Sequence, residues 1–135
     1  MKYFISYKFT GIDETTLKET IGLVCSKLEE IKVDYYCTLA DEDFFKTQGF
    51  GVKEIFTHAL KKLDECNAVL TIVDTESKSE GLLIEAGYAK AQNKPIFLAK
   101  RKGVYTHSLN GVATTIFEYE SFENLCENLK IILNH

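Results

Sequence analysis

The sequence predicts an α/β fold: one flavodoxin-like domain with a five-stranded parallel sheet in the order 2-1-3-4-5, flanked by helices. Three observations carry that expectation. Short β-branched and aromatic runs alternate with segments of helical period along the chain, the pattern of parallel strands joined by helical crossovers. One run, Ala68 to Val73 (AVLTIV), is apolar but for Thr71, as suits a strand buried on both faces. The 135 residues fit one ordinary domain, residues 1–135, and no repeat, linker or low-complexity tract divides them.

Residues 2–7 (KYFISY) read as the first strand. Leu17, Ile21, Val24, Leu28 and Ile31 then recur at helical spacing and place a helix over 13–31. Asp13 or Thr16 caps its start, and Thr16 with Glu19 has the form of a capping box. Residues 33–38 (VDYYCT) make the second strand, and 39–51, polar and acidic with Gly49 and Gly51, a loop. Val52, Ile55, Phe56, Ala59, Leu60 and Leu63 share one face of a helix over 52–65. The third strand spans 68–73, a polar loop 74–80, and a helix 81–92. Residues 95–99 (PIFLA) form the fourth strand, 100–112 a loop and 114–117 the fifth strand. Ser121 caps a last helix that turns Phe122, Leu125, Cys126, Leu129 and Ile132 inward.

Bulk properties exclude several classes of function. The net charge of −4, from 16 basic and 20 acidic residues, argues against duplex nucleic acid or an anionic membrane as partner. A small phosphorylated ligand, which needs only a few local donors, stays open. No apolar run approaches the ~18 residues of a membrane helix, and the N-terminus reads as a strand instead of a signal peptide. Cys25, Cys37, Cys66 and Cys126 form no C-x-x-C pair and have no histidine at zinc-ligand spacing. They read as reduced residues in or near the core, which suits the cytoplasm. Neither a metal nor another cofactor is expected.

In an open parallel sheet, ligands bind beyond the carboxyl ends of the strands, where the strand order switches. The rule points to the loops after strands one, three and four. The segment from Ser79 to Ala89 is the most informative. Ser79 and Gly81 stand at the start of a helix, where free N–H groups and the dipole favour an anion. Glu85 lies one turn further along the same face as Gly81. A carboxylate there can attack the anomeric carbon of a bound sugar and form a glycosyl ester. Position alone equally allows a surface glutamate favoured by the helix dipole, and a Ser79 that only caps the helix.

Ser79, Gly81, Glu85, Gly87, Tyr88 and Ala89, in the pattern Ser-x-Gly-x-x-x-Glu-x-Gly-Tyr-Ala, resemble the active-site helix of the nucleoside 2-deoxyribosyltransferases and the related nucleoside 5′-monophosphate N-glycosidases. The AVLTIVD strand before it and the KPIFLA strand after it match in kind and spacing, so the likeness covers about residues 64–100. The resemblance implies an enzyme that cleaves the N-glycosidic bond of a nucleoside or its 5′-monophosphate, by hydrolysis or base transfer, with Glu85 as nucleophile. It implies substrate contacts from Ser6, Lys8, Thr10 and Gly11 after the first strand. The transferases place Asp where this chain has Ser79, and the monophosphate hydrolases place Ser; a hydroxyl can donate to a phosphate that an aspartate would repel. Ser108 and Asn110 fall where related enzymes reach into a neighbouring subunit's site, which implies a homodimer or higher homo-oligomer. Asn67 stands where the family often has Asp.

Two further expectations concern the base and the sugar. Asp41, Glu42 and Asp43 cluster beside Phe44 and Phe45; one carboxyl, taken as Asp43, can protonate a leaving base while an aromatic ring stacks on it. Asp74, at the end of the third strand, can touch base or ribose. A competing resemblance exists. Phe4-Ile5-Ser6-Tyr7-Lys8 is similar to the first box of TIR domains, some of which cleave NAD with a helix glutamate while others only assemble or signal. A silent nucleotide sensor is the third possibility. His58, His107 and His135 have no evident metal or triad partner in the sequence.

Overall fold

The computed structural model describes residues 1–8, 13–76 and 79–133. Five strands, β1 (Lys2–Lys8), β2 (Asp34–Cys37), β3 (Ala68–Val73), β4 (Ile96–Arg101) and β5 (Thr115–Tyr119), lie in the order β2-β1-β3-β4-β5. Every neighbouring pair is parallel. The helices are α1 (Glu14–Glu30), α2 (Glu42–Thr47), α3 (Val52–Asp64), α4 (Glu80–Ala91), α5 (His107–Val112) and α6 (Phe122–Leu133). The expected strand order is the observed one.

Strand alternation feeds two cores, one on each face of the sheet. Tyr3, Ile5, Leu70, Ile72, Phe97 and Ala99 meet Ile21, Val24 and Leu28 of α1 and Leu125 and Leu129 of α6. Phe4, Val69, Val73, Ile96 and Leu98 meet Ala59 and Leu63 of α3, Leu82, Ala86 and Ala89 of α4, and Leu109 of α5. Each fully buried Leu or Ile contributes about 1.5–3 kcal/mol relative to exposure. The same alternation turns Ser6, two residues on from Phe4, toward α4.

Helix starts follow the expected caps. Asp13, the first of the two candidates, accepts from the Thr16 N–H at 2.7 Å. Ser121 accepts from the Asn124 N–H at 3.1 Å. The far end of α4 is held to α3 by Asp64, which accepts from the Tyr88 hydroxyl at 2.7 Å and the Gln92 amide at 2.8 Å. Tyr88 of the Gly-Tyr-Ala motif therefore fixes the direction of α4.

Two segments expected as loops are partly helical. A 3-10 turn, Thr38–Asp41, takes Thr38 from the expected second strand and opens the expected loop 39–51, and α2 follows. Residues 100–112 contain α5. Both helices have six residues, too short for a 3.6-residue period to show in sequence. Each is anchored by one buried side chain, Phe45 in α2 and Leu109 in α5. In α2, acidic Glu42 and Asp43 in the first turn and Lys46 in the last also suit the dipole. β1 lies between β2 and β3, so the strand order switches there and the carboxyl ends of β1 and β3 border a crevice.

Candidate active site

Glu85 sits half-buried on α4, facing the end of β1. Ser6 Oγ, on a residue only 3% exposed, donates a 2.8 Å hydrogen bond to Glu85 Oε1. Burial pushes the Glu85 carboxyl up to about 7, and the Ser6 hydrogen bond works against that rise. Tyr7, next in β1, has its phenol pushed up by burial and then by the Cys37, Glu42 and Glu85 groups around it, with a Thr38 hydrogen bond opposing. The two glutamates thus converge on Tyr7 from different elements.

Glu85 and Gly81 border a cavity of about 600 Å³. Phe56 of α3 and Phe50, which precedes it in the chain, form one side; Thr38, Glu42, Phe45 and Lys46 form the outer wall. Phe45 and Phe50 stack with centroids 5.7 Å apart and planes 19° apart. Flat apolar walls with two carboxylates, Glu42 and Glu85, on the lining suit a planar base attached to a sugar. Glu42 Oε2 also lies 3.8 Å from Lys18 Nζ.

Of the three adjacent acids, Glu42 borders this cavity. Asp43, singled out from the sequence as the acid, is exposed and borders a shallow depression with Lys18, Cys25 and Tyr35 on the α1 side. Asp41 accepts from the Tyr36 hydroxyl and pairs with His58.

A second cavity, of about 380 Å³, lies at the first turn of α4, bordered by Lys8, Thr75, Ser79, Tyr105, His107 and Ser108 among others. Lys8 is in register with Val73 of β3, which also borders it. Ser79 caps α4, accepting from the Leu82 N–H at 3.3 Å, and a hydroxyl so used can still donate its proton. The structure thus divides the expected group: Gly81 and Glu85 border the first cavity, Ser79 the second. Gly81 stands between them, for an added Cβ would meet Phe56 at 3.7 Å and Ser79 Oγ at 3.9 Å.

Lys8 and Ser108 come together with Ser79, whereas Asp74 and Asn110 have other partners. Asp74 Oδ1 forms a short ion pair with Arg101 Nε, and the Arg101 guanidinium lies over Tyr119 with 5.4 Å to its ring centre. Asn110 Oδ1, in α5, accepts from the Oγ1 of Thr106, which precedes that helix, at 2.6 Å. Thr10 and Gly11 lie outside the described residues. Sequence reasoning missed Phe56, Lys46, Tyr105 and His107 as lining residues, and gave Glu42 and Phe50 no separate role. For Lys46, Phe50 and Phe56 the sequence signal was the aromatic and charged content of 44–56; Tyr105 and His107, in the loop after the fourth strand, carried none. Among the described residues, no group of three or more His, Cys, Asp or Glu is placed to hold a metal.

Residues 7–126 match the family Nucleoside 2-deoxyribosyltransferase. The chain belongs to that family. This deoxyribosyltransferase-family chain is therefore an enzyme of N-glycosidic bonds, acting on nucleosides or nucleotides. No curated protein matches its sequence at a significant level. Its fold is similar to a 2-deoxyribosyltransferase from Bacillus psychrosaccharolyticus at TM-score 0.69 and 15% identity, over 98% of this chain and 96% of that one. It is similar to a conserved protein from Enterococcus faecalis V583 at TM-score 0.69 and 14% identity, over 98% of both. It is also similar to the CMP N-glycosidase BcmB of Clostridium botulinum at TM-score 0.70 and 20% identity, over 98% of this chain and 100% of that one. Among the described residues, no helix of the deoxyribosyltransferase-family chain is long and apolar enough to cross a membrane.

Proposed function

We propose that this enzyme cleaves the N-glycosidic bond of a nucleoside 5′-monophosphate through a glycosyl ester on Glu85. The observation that carries the proposal is the environment of Glu85: half-buried, hydrogen-bonded by Ser6, and bordering an aromatic cavity that Glu42 also borders. The ionised Glu85 attacks C1′ as the bond to the base breaks, and Glu42, in its protonated form, gives its proton to the departing base and regains one from the water or base that resolves the ester. Water or a second base then takes the sugar and frees Glu85. The ester and its oxocarbenium-like transition state need no metal or cofactor.

The second cavity supports the 5′-monophosphate. Lys8 supplies positive charge there, and the amides at the start of α4, with the Ser79 and Ser108 hydroxyls, are further donors. A nucleotide passing over Gly81 would lay its phosphate on this side and its base among Phe45, Phe50 and Phe56. We further infer a homodimer built on α4. Leu83 and Ile84 are 38% and 47% exposed, and Tyr105 beside the second cavity is 61% exposed. Four free cysteines suit a reducing cytoplasmic setting.

The test is release of free base from a panel of nucleosides, their 5′-monophosphates and NAD, followed by chromatography. Cytidine 5′-monophosphate is the first choice, because BcmB, similar in fold, is a CMP N-glycosidase. Release from monophosphates, lost in Glu85→Gln, is the expected result. Release from NAD alone, or full activity in Glu85→Gln, would overturn the reading.

A further inference from the structure

The outer wall of the Glu85 cavity has little holding it. Thr38, Glu42, Phe45 and Lys46 all border the cavity, yet no strand ladder includes them. Between Thr38 and Thr47 only Phe45 is buried. A short helix with one buried side chain is marginal by itself.

Leu39 packs against the core and Glu42 reaches Lys18 of α1, but Asp41 makes the hydrogen bonds that tie this wall to β2 and α3. Asp41 Oδ2 accepts from the Tyr36 hydroxyl of β2 at 2.6 Å and lies 3.0 Å from His58 Nε2 of α3. The His58 ring meets Phe45 edge-on with centroids 5.3 Å apart, and Phe44 at 6.0 Å. Lys62 Nζ lies 5.7 Å from the centre of the Tyr36 ring. Burial works against ionisation of Asp41, but hydrogen bonds from Tyr36 and His58 and the charges of His58 and Lys62 outweigh it, so its carboxyl stays below the usual range.

Asp41 also occupies the N-cap position of α2, where an aspartate ordinarily accepts from a helix N–H. Here it makes no side-chain cap bond. Its carboxylate serves the contact between β2 and α3 instead. Glu42, the next residue, starts the helix and borders the cavity.

We propose that Tyr36, Asp41 and His58 form a clamp that holds the cavity wall in its working position, with Asp41 and His58 as positioning residues for Glu42. The inference rests on the reading of Glu85 and Glu42 given above. His58 reaches the reaction only through Asp41 and the short helix that follows. Its loss therefore slows protonation of the leaving base more than it weakens binding at the phosphate end.

The test combines amide hydrogen exchange on the full chain, without ligand, and steady-state base release from cytidine 5′-monophosphate. In His58→Ala, exchange across residues 38–50 rises about tenfold or more while residues 68–73 are unchanged, kcat falls about tenfold, and KM moves less than about threefold. His58→Gln, which keeps a donor for Asp41, recovers most of both losses. Glu42→Gln loses kcat with normal exchange. Tyr36→Phe removes one hydroxyl and gives the same pattern more weakly; it decides the matter if His58→Ala does not fold. Unchanged exchange in His58→Ala and Tyr36→Phe, or lost kcat with normal exchange in either, overturns the clamp. If no substrate yields free base even with the unaltered protein, the proposed function fails, and the exchange measurement still decides whether the clamp exists.

Discussion

Ser6 Oγ and Glu85 Oε1, on residues 79 positions apart in the chain, are joined by a 2.8 Å hydrogen bond. The bond crosses from the end of β1 to the second turn of α4 at the switch in strand order. It stabilises the charged form of a carboxyl that burial pushes toward the neutral form.

The pH dependence of base release follows from that balance. In the proposed mechanism Glu85 attacks as the carboxylate, and burial pushes its carboxyl up to about 7. The acidic limb of kcat/KM should therefore rise through about pH 7, not near the usual carboxylate range. In Ser6→Ala the carboxylate loses a donor, so the limb should move upward by about half a unit to one unit. A pH–rate profile of the two proteins checks this; an unmoved limb removes Ser6 from the account.

The same burial predicts a stability effect with a definite sign. The folded-state value of Glu85 lies above its ordinary 4.5. The contribution is thus fully present below about pH 4.5 and is lost as the pH rises through about 7. Glu85→Gln, which cannot ionise, should match the unaltered protein near pH 4 and exceed it by about 1–3 kcal/mol at pH 8. Urea unfolding at the two pH values measures the difference, and base release should fall by about three orders of magnitude or more.

Gly81→Ala separates folding from binding. The added methyl would meet Phe56 and Ser79 Oγ only at ordinary contact distances. Alanine also favours the helix by about 1 kcal/mol over glycine. Stability should be equal or slightly higher, while KM for a 5′-monophosphate rises by about tenfold because the methyl occupies the ridge between the two cavities. A fall in melting temperature with unchanged KM would place Gly81 in the fold and not at the ligand.

Asp74 and Arg101 test the structural side of the sheet edge. Asp74→Ala leaves the half-buried guanidinium beside Tyr119 and Phe122 without its carboxylate. The expected cost is about 1–3 kcal/mol of stability. Asp74→Ala with Arg101→Leu should recover part of it, which a double-mutant cycle by urea unfolding would show.

Much of the architecture was legible because its causes are local. The run of β3, apolar but for Thr71, announced a central strand, and all six of its residues are buried. The periods of 13–31 and 52–65 announced α1 and α3. Ser79 and Ser121 announced the starts of α4 and α6 by cap chemistry. What escaped notice were α2 and α5, whose six residues carry no readable period and depend on one buried anchor each.

The sequence by itself determined the strand order, the helix that bears Glu85, and the family to which the chain belongs. Alternation, period and motif are properties of neighbouring residues. The tertiary structure alone decided which side chains meet. Asp41, Glu42 and Asp43 are consecutive, but successive helical residues point about 100° apart. Asp41 therefore meets His58, Glu42 borders the Glu85 cavity, and Asp43 borders the depression on the α1 side, according to how Phe45 and Tyr36 seat the segment. Ser6 reached Glu85 in the same way, because the parallel register of β1 on β3 and the packing of α4 on that face bring the two together.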